Sequence, residues 1–238
     1  MNDNKNTQLF DQFAATYDEG HARAVKASGF TPDYFHEYKI KEVLACLKRR
    51  GYPLQGIKIL NFGCGVGNSE RFIKKYFSQA KIYSIDISSE SIKAAQEKNK
   101  GEGVTFAAFD GTNIPFDIEF DIIFAAGVFH HIPRGEQKKV IGNIYKQLKS
   151  KGFLFIFELN PLNPATLWVA YQNDYKFDKN SRLLTPFYLS ELLKPCGFAD
   201  IKIRYTVFFP GPLSFMVPWE KWLFWVPLGA HYYFTGRK

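Results

Sequence analysis

An α/β fold built on a parallel, doubly wound sheet is predicted by three observations. From Ile57 to about Leu159, apolar strand-like runs alternate with helical stretches across short joins. Strand–helix–strand crossovers impose that rhythm on a parallel sheet. The first run, Ile57–Phe62, enters the turn Gly63-Cys64-Gly65-Val66-Gly67. Glycines that close together let a strand turn sharply into a helix and bring backbone N–H groups up to a ligand with no Cβ in the way. The second run, Lys81–Asp86, ends in a carboxylate, the group that accepts hydrogen bonds from ribose hydroxyls in nucleoside-binding half-folds.

The first fifty residues read as helices. Thr31-Pro32-Asp33 is an N-cap followed by proline at the first helical position, and apolar residues then recur at Tyr34, Phe35, Tyr38, Ile40, Val43, Leu44 and Leu47. Gly51-Tyr52-Pro53 ends that helix. Strands are predicted at Ile57–Phe62, Lys81–Asp86, Val104–Phe109, Phe120–Ala126 and Phe153–Leu159, with helices at Asn68–Ser78, Ser89–Asn99 and Arg134–Ser150. Ser88-Ser89-Glu90-Ser91 caps the second of these helices. After Leu159 the pattern changes: Asn160–Pro164 is rich in turn residues, and Leu167–Tyr175 is aromatic. Thr185–Gly197 reads as a capped helix with a glycine stop, Ala199–Phe209 as a strand, and His231–Arg237 as a short last one.

At 238 residues the chain is expected to form a single domain: a helical cap over 1–55, a ligand-binding core over 56–160, and a segment over 161–238 with an aromatic insertion at 210–229. The net charge of +8 comes from lysines scattered along helical stretches, which reads as a solvated surface and argues against nucleic acid as partner. Cys46, Cys64 and Cys196 are odd in number and too far apart in sequence for a metal cluster. With a polar N-terminus and no run of 18 uncharged apolar residues, a cytoplasmic location is expected.

The glycine spacing separates the candidate ligands. A dinucleotide fingerprint needs glycine at position 68, where Asn68 stands, and the lysine of a P-loop is absent. The G-x-G-x-G found here resembles motif I of the class I S-adenosylmethionine-dependent methyltransferases (the small-molecule, type 11/12-like group), whose common form is an acid, an apolar residue and then G-C-G-x-G. Asn61 stands in the acid's place, which alters the contact made near the methionine end. The resemblance is motif by motif over about residues 10–160 and topological beyond. It implies a Rossmann-like seven-stranded sheet, mostly parallel with an antiparallel last strand, under an N-terminal helical cap. It also implies S-adenosylmethionine as cofactor, with S-adenosylhomocysteine as product.

On that resemblance the cofactor is bound by Asn61, Phe62, Gly63, Cys64, Gly65, Gly67 and Asn68 of the glycine turn, by Asp86, Ile87 and Ser88 at the ribose and adenine face, and by Asp110 and Gly111 at the adenine edge. Ala126, Gly127 and His131 follow strand four, where the family often carries His-His-Ile/Val-Pro, as in His130-His131-Ile132-Pro133. His130 and His131 are the catalytic candidates, because histidine suits proton removal near neutral pH. Tyr17 lies in Phe10–Asp18, which resembles the F-x-x-x-A-x-x-Y-D lead-in that covers the cofactor. Each residue has a plainer reading: Phe10, Phe13 and Tyr17 as a core stripe, Asp110 as an Asx-turn, the histidines as packing. Metal ligation by two adjacent histidines is not expected.

Glu158 and Asn160, at the end of the fifth strand, are placed on the acceptor side by position alone. Pro210–Gly229 carries all but one of the tryptophans, which suits an acceptor lid, a dimer surface or an interfacial anchor. The function expected is methyl transfer to an oxygen or nitrogen of a small-molecule, glycan or lipid-linked acceptor, in which a peripheral membrane surface is a candidate partner. The alternative is a non-catalytic binding module that keeps the cofactor fold and uses the aromatic C-terminal segment for partner or membrane contact.

Overall fold

Residues 10–172 and 182–238 are described by the computed structural model of the chain. Residues 10–13 are helical, and α1 (Tyr17–Val25) and α2 (Pro32–Arg49) complete the cap. Thr31 accepts the Tyr34 N–H at the start of α2, and Phe35, Ile40, Val43, Cys46 and Leu47 form its buried stripe. The core follows as β1 (Lys58–Phe62), α3 (Glu70–Tyr76), β2 (Lys81–Asp86), α4 (Ser89–Lys98), β3 (Val104–Ala108), β4 (Phe120–Ala126), α5 (Arg134–Gln147) and β5 (Leu148–Leu159). The remainder comprises α6 (Pro164–Gln172), α7 (Pro186–Leu193), β6 (Ala199–Thr206), a 3-10 stretch (Gly211–Trp219), α8 (Glu220–Leu223) and β7 (His231–Arg237). The predicted aromatic stretch leaves the described residues after Gln172.

The strands lie in the order β3-β2-β1-β4-β5-β7-β6, and β7 runs antiparallel to both its neighbours. The order reverses between β1 and β4, where the crevice of a doubly wound sheet opens at the strands' carboxyl ends. Central strands are apolar on both sides, so β4 and residues 152–158 of β5 are buried almost throughout. One face packs on α5 and α7 through Ile123, Ile141, Leu154 and Leu189, and the other on α2 and α3 through Leu47, Ile73, Ile122 and Phe155. Each such side chain contributes about 1.5–3 kcal/mol of burial.

Most boundaries fall within one or two residues of expectation, and two differ by more. The helix predicted to reach Ser150 stops at Gln147, and β5 starts at Leu148. Fully buried Leu148 pairs with Phe120, and the extra residues before the Ile122–Phe153 pair bulge out of register, with Lys151 at φ 67°. The strand predicted to reach Phe209 ends at Thr206 because Val207 turns to φ 61°, an outlier for a β-branched residue. The Glu220 carboxylate holds that turn by accepting the N–H groups of Val207, Phe208 and Phe209.

Candidate active site

The three motif glycines all adopt positive φ, and their surroundings assign each a separate task. A Cβ on Gly63 would stand 2.4 Å from Val128 Cγ2, and one on Gly67 would stand 2.6 Å from Asn99 Nδ2 and 2.8 Å from Ala95 Cβ. Those two positions bring the turn against β4's loop and against α4. A Cβ on Gly65 would meet nothing within 4 Å, so its absence leaves open space above the backbone. The Gly65 N–H donates to Asp86 Oδ2 (2.8 Å) and the Ser88 N–H to Asp86 Oδ1 (3.0 Å). Burial pushes the Asp86 carboxyl up, and these backbone bonds oppose the shift.

A cavity of about 650 Å³ opens over these strand ends. Asn61, Phe62, Gly63, Cys64 and Gly65 border it from the turn, Asp86 and Ile87 from β2, and Asp110 and Gly111 from the loop after β3. Tyr17 borders it from α1, and Ala126, Gly127, His130 and His131 from the end of β4. Three predicted contacts do not. Gly67 is consumed in packing on α4. The Asn68 side chain is turned outward to Asp18 and Lys98. The Ser88 hydroxyl accepts the Ser91 N–H as a helix cap and donates to Asp11. Asp110 borders the cavity, yet both its oxygens are bonded within its own loop, to the Thr112 and Asn113 N–H groups and to Asn113 Nδ2. Its Asx-turn role is therefore the visible one, and those bonds hold its pKa below the ordinary aspartate value.

Asn61 has a partner that the sequence does not announce. Its Nδ2 donates to Glu70 Oε1 at 2.7 Å, where Ser84 Oγ also donates at 2.8 Å. Glu70 is fully buried, and burial raises its pKa. With the amide nitrogen committed, Asn61 keeps its carbonyl oxygen as the atom free to accept from a ligand, the capacity an aspartate would have offered with a charge.

Glu158 joins the histidine pair. Its Oε2 lies 2.5 Å from His130 Nδ1, and its Oε1 accepts the Phe129 N–H at 2.9 Å. Glu158 and His130 are both buried. A carboxylate on Nδ1 fixes the tautomer that carries its proton there and leaves Nε2 with a lone pair. His131 packs edge-on to Phe10, ring centroids 5.3 Å apart, and burial beside His130 holds its pKa well below the usual histidine value. Asn160 does not reach the acceptor side: its amide donates to the Pro227 and Gly229 carbonyls and ties down the aromatic insertion.

Residues of the helical cap and of the C-terminal part also border the cavity: His21, His36, Lys39 and His231 are polar, and Phe35, Phe157, Trp168, Phe208 and Phe209 are apolar. No motif points to those polar residues. The single trace is the His36–Lys39 spacing, which puts both on one face of α2.

Residues 59–152 match the family model of the methyltransferase domain. That match and the sheet order above support a class I S-adenosylmethionine-dependent methyltransferase. Among curated relatives, the phthiotriol/phenolphthiotriol dimycocerosates methyltransferase of Mycobacterium leprae is 28% identical over 119 residues, 48% of this chain and 42% of that protein. The malonyl-[acyl-carrier protein] O-methyltransferase of Bacillus cereus is 28% identical over 112 residues, 47% of this chain and 41% of that protein. The matched stretch thus spans less than half the length of either relative. Among solved structures, an S-adenosylmethionine-dependent methyltransferase from Thermotoga maritima superposes with TM-score 0.68 at 17% identity, covering 98% of this chain and 99% of that one. Magnesium protoporphyrin IX methyltransferase from Synechocystis superposes with TM-score 0.64 at 18% identity, covering 98% and 99%. At those identities the likeness concerns the fold.

Proposed function

We propose that the chain is an S-adenosylmethionine-dependent methyltransferase acting on an oxygen or nitrogen of a small-molecule, glycan or lipid-linked acceptor. One observation carries the reading: Gly65, Asp86 and Asn61 border the same cavity as His130, which Glu158 backs. The residues present suit the cofactor. Asp86 offers its remaining lone pairs to ribose hydroxyls, Ile87 and Gly111 border the cavity where the adenine would lie, and the bare Gly65 backbone and the Asn61 carbonyl oxygen receive the methionine part.

Bound S-adenosylmethionine would supply an electrophilic methyl group on a sulfonium sulfur. The protein's share is positioning and proton removal. His130 Nε2 takes the proton from the acceptor O–H or N–H as the oxygen or nitrogen lone pair is freed. Glu158 then stabilises the imidazolium and holds its plane. His131, kept neutral, shapes the wall beside it. Acceptor contact falls to the aromatic wall from Phe35 to Phe209.

The lipid-linked branch of the proposal rests on Phe215, Trp219, Trp222, Trp225 and Leu228, all exposed in and beside the insertion, together with exposed Trp168, which borders the cavity. No described helix is long and apolar enough to cross a membrane, so contact would be peripheral.

Calorimetry with S-adenosylhomocysteine, followed by mass spectrometry of candidate acceptors incubated with methyl-labelled cofactor, tests the proposal. Saturable 1:1 binding and label transfer are expected. A folded protein that binds neither cofactor form would overturn it and leave the non-catalytic module in its place.

A further inference from the structure

The cavity holds a cation with no counter-ion of its own. Lys39 is half-buried on α2 and borders the cavity, and among the described residues its side chain forms no hydrogen bond or ion pair. The one carboxylate that acts on it, Glu158, is already engaged with His130 Nδ1 and the Phe129 N–H. His21 and His36 stand beside it on the same wall, their ring centroids 5.1 Å apart and nearly perpendicular. Each keeps one buried ring nitrogen without a partner, Nδ1 of His21 and Nε2 of His36. His36 Nδ1 lies 3.1 Å from Ser69 Oγ. If that nitrogen accepts from the serine hydroxyl, Nε2 carries the proton and is a donor. Buried donors left unmade cost about 1–3 kcal/mol each, and a buried ammonium without an anion costs more.

The electrostatics agree. Burial pushes the Lys39 ammonium down to about 8 and His21 down to about 4, and the Lys39 charge further depresses His21, His36 and His231. The three imidazoles therefore surround a positive centre. Metal ligation is not the use of this cluster: among the described residues no three His, Cys, Asp or Glu side chains come together to hold an ion.

We propose that Lys39, with His21 and His36, forms an anion subsite that receives a carboxylate or phosphate group of the acceptor. The assignment rests on the methyltransferase reading and narrows it: the acceptor is an acid whose apolar or ring portion lies along Phe35, Phe157 and Phe208. Lys39 is within electrostatic reach of Glu158, the partner of His130, so an acid group held on Lys39 would keep the acceptor near His130.

The test uses inorganic phosphate and acetate as probes, titrated against the full chain with and without S-adenosylhomocysteine and read by thermal shift. Wild type should gain several degrees with at least one of them, beyond a chloride control at equal ionic strength. K39M should lose the gain and K39R keep most of it. Both variants should bind S-adenosylhomocysteine within about twofold of wild type. H36Q, with a milder loss of the anion response, provides an independent reading should K39M melt too early to titrate. No anion-specific gain in wild type overturns the proposal. A tenfold weaker affinity of K39M for S-adenosylhomocysteine also overturns it, because Lys39 would then hold the cofactor's own carboxylate. A wild type that responds to anions through Lys39 yet never binds S-adenosylhomocysteine upholds the subsite and overturns the methyltransferase reading beneath it.

Discussion

Glu158 decides which nitrogen of His130 carries the proton. A carboxylate 2.5 Å from Nδ1 keeps the proton on that side, so the lone pair belongs to Nε2, and it also favours the protonated ring that forms when a proton is taken. Glu158→Gln keeps the shape and removes the charge. We expect kcat to fall by roughly 10–100-fold, within the range a general base supplies, while S-adenosylhomocysteine affinity stays within about twofold. At this scale several cavity-lining residues were readable where a motif closed or followed a strand, while Gly67, Asn68 and Ser88 of the same motifs stay outside the cavity. Asp86 closes a strand and His130 follows one, and both border the cavity. The His130–Glu158 pair was not readable as a pair: the two lie 28 positions apart and meet because Ala126 pairs with Phe157 across β4 and β5. Asn61 and Glu70 show the same limit at shorter range. An asparagine in the acid's place looked like a loss until the helix following the turn brought a buried carboxylate to its amide.

The glycine turn separates folding from ligand binding within five residues. Gly65 and Gly67 share positive φ, at 54° and 76°, but only Gly67 is crowded. Alanine at either position carries the left-handed penalty of about 1–2 kcal/mol. At 67 it also drives a methyl into Ala95 and Asn99, an overpacking cost of about 1–3 kcal/mol. Gly67→Ala should therefore lower Tm by roughly 5–15 °C for a chain of this size, and its residual folded fraction should still bind S-adenosylhomocysteine. Gly65→Ala should melt within about 5 °C of wild type and lose at least tenfold in S-adenosylhomocysteine affinity, since the new methyl occupies the open space over the backbone. Differential scanning calorimetry and titration calorimetry on the two variants check both halves; equal effects on stability and binding would refute the division. Alternation and caps made the strands and helices of this core legible to within a few residues. The bulge before Gly152 and the turn at Val207 escaped, because each depends on a partner remote in sequence: Phe120 for the first, Glu220 for the second.

Taken as a whole, the molecule places its cap and its C-terminal insertion over the same sheet end, and nothing in either sequence pattern says where they meet. They meet backbone to backbone at Gly29 and Gly211, where a Cβ on Gly211 would stand 2.3 Å from the Gly29 carbonyl oxygen. Ser28 and Pro210, each next to that contact, border the cavity together with His21, His36 and Lys39, so the cluster could be found only from the folded chain. The same arrangement turns the insertion outward. Phe215, Trp222 and Trp225 are 70%, 62% and 69% exposed, more apolar surface than solvation alone favours, and exposed Lys221 and a net charge of +8 accompany them. Amphipathic indole rings settle at headgroup depth, and basic residues add about 1 kcal/mol each near an anionic surface. If the acceptor is presented by a bilayer, the chain should co-sediment with vesicles containing phosphatidylglycerol, more weakly with purely zwitterionic ones, and less as salt is raised. Trp222→Ala with Trp225→Ala should weaken that partition by roughly tenfold, about 1.4 kcal/mol, with Tm and S-adenosylhomocysteine affinity unchanged because neither side chain is buried. Equal partition of wild type and double variant would assign the face to another partner and leave a soluble acid as the acceptor.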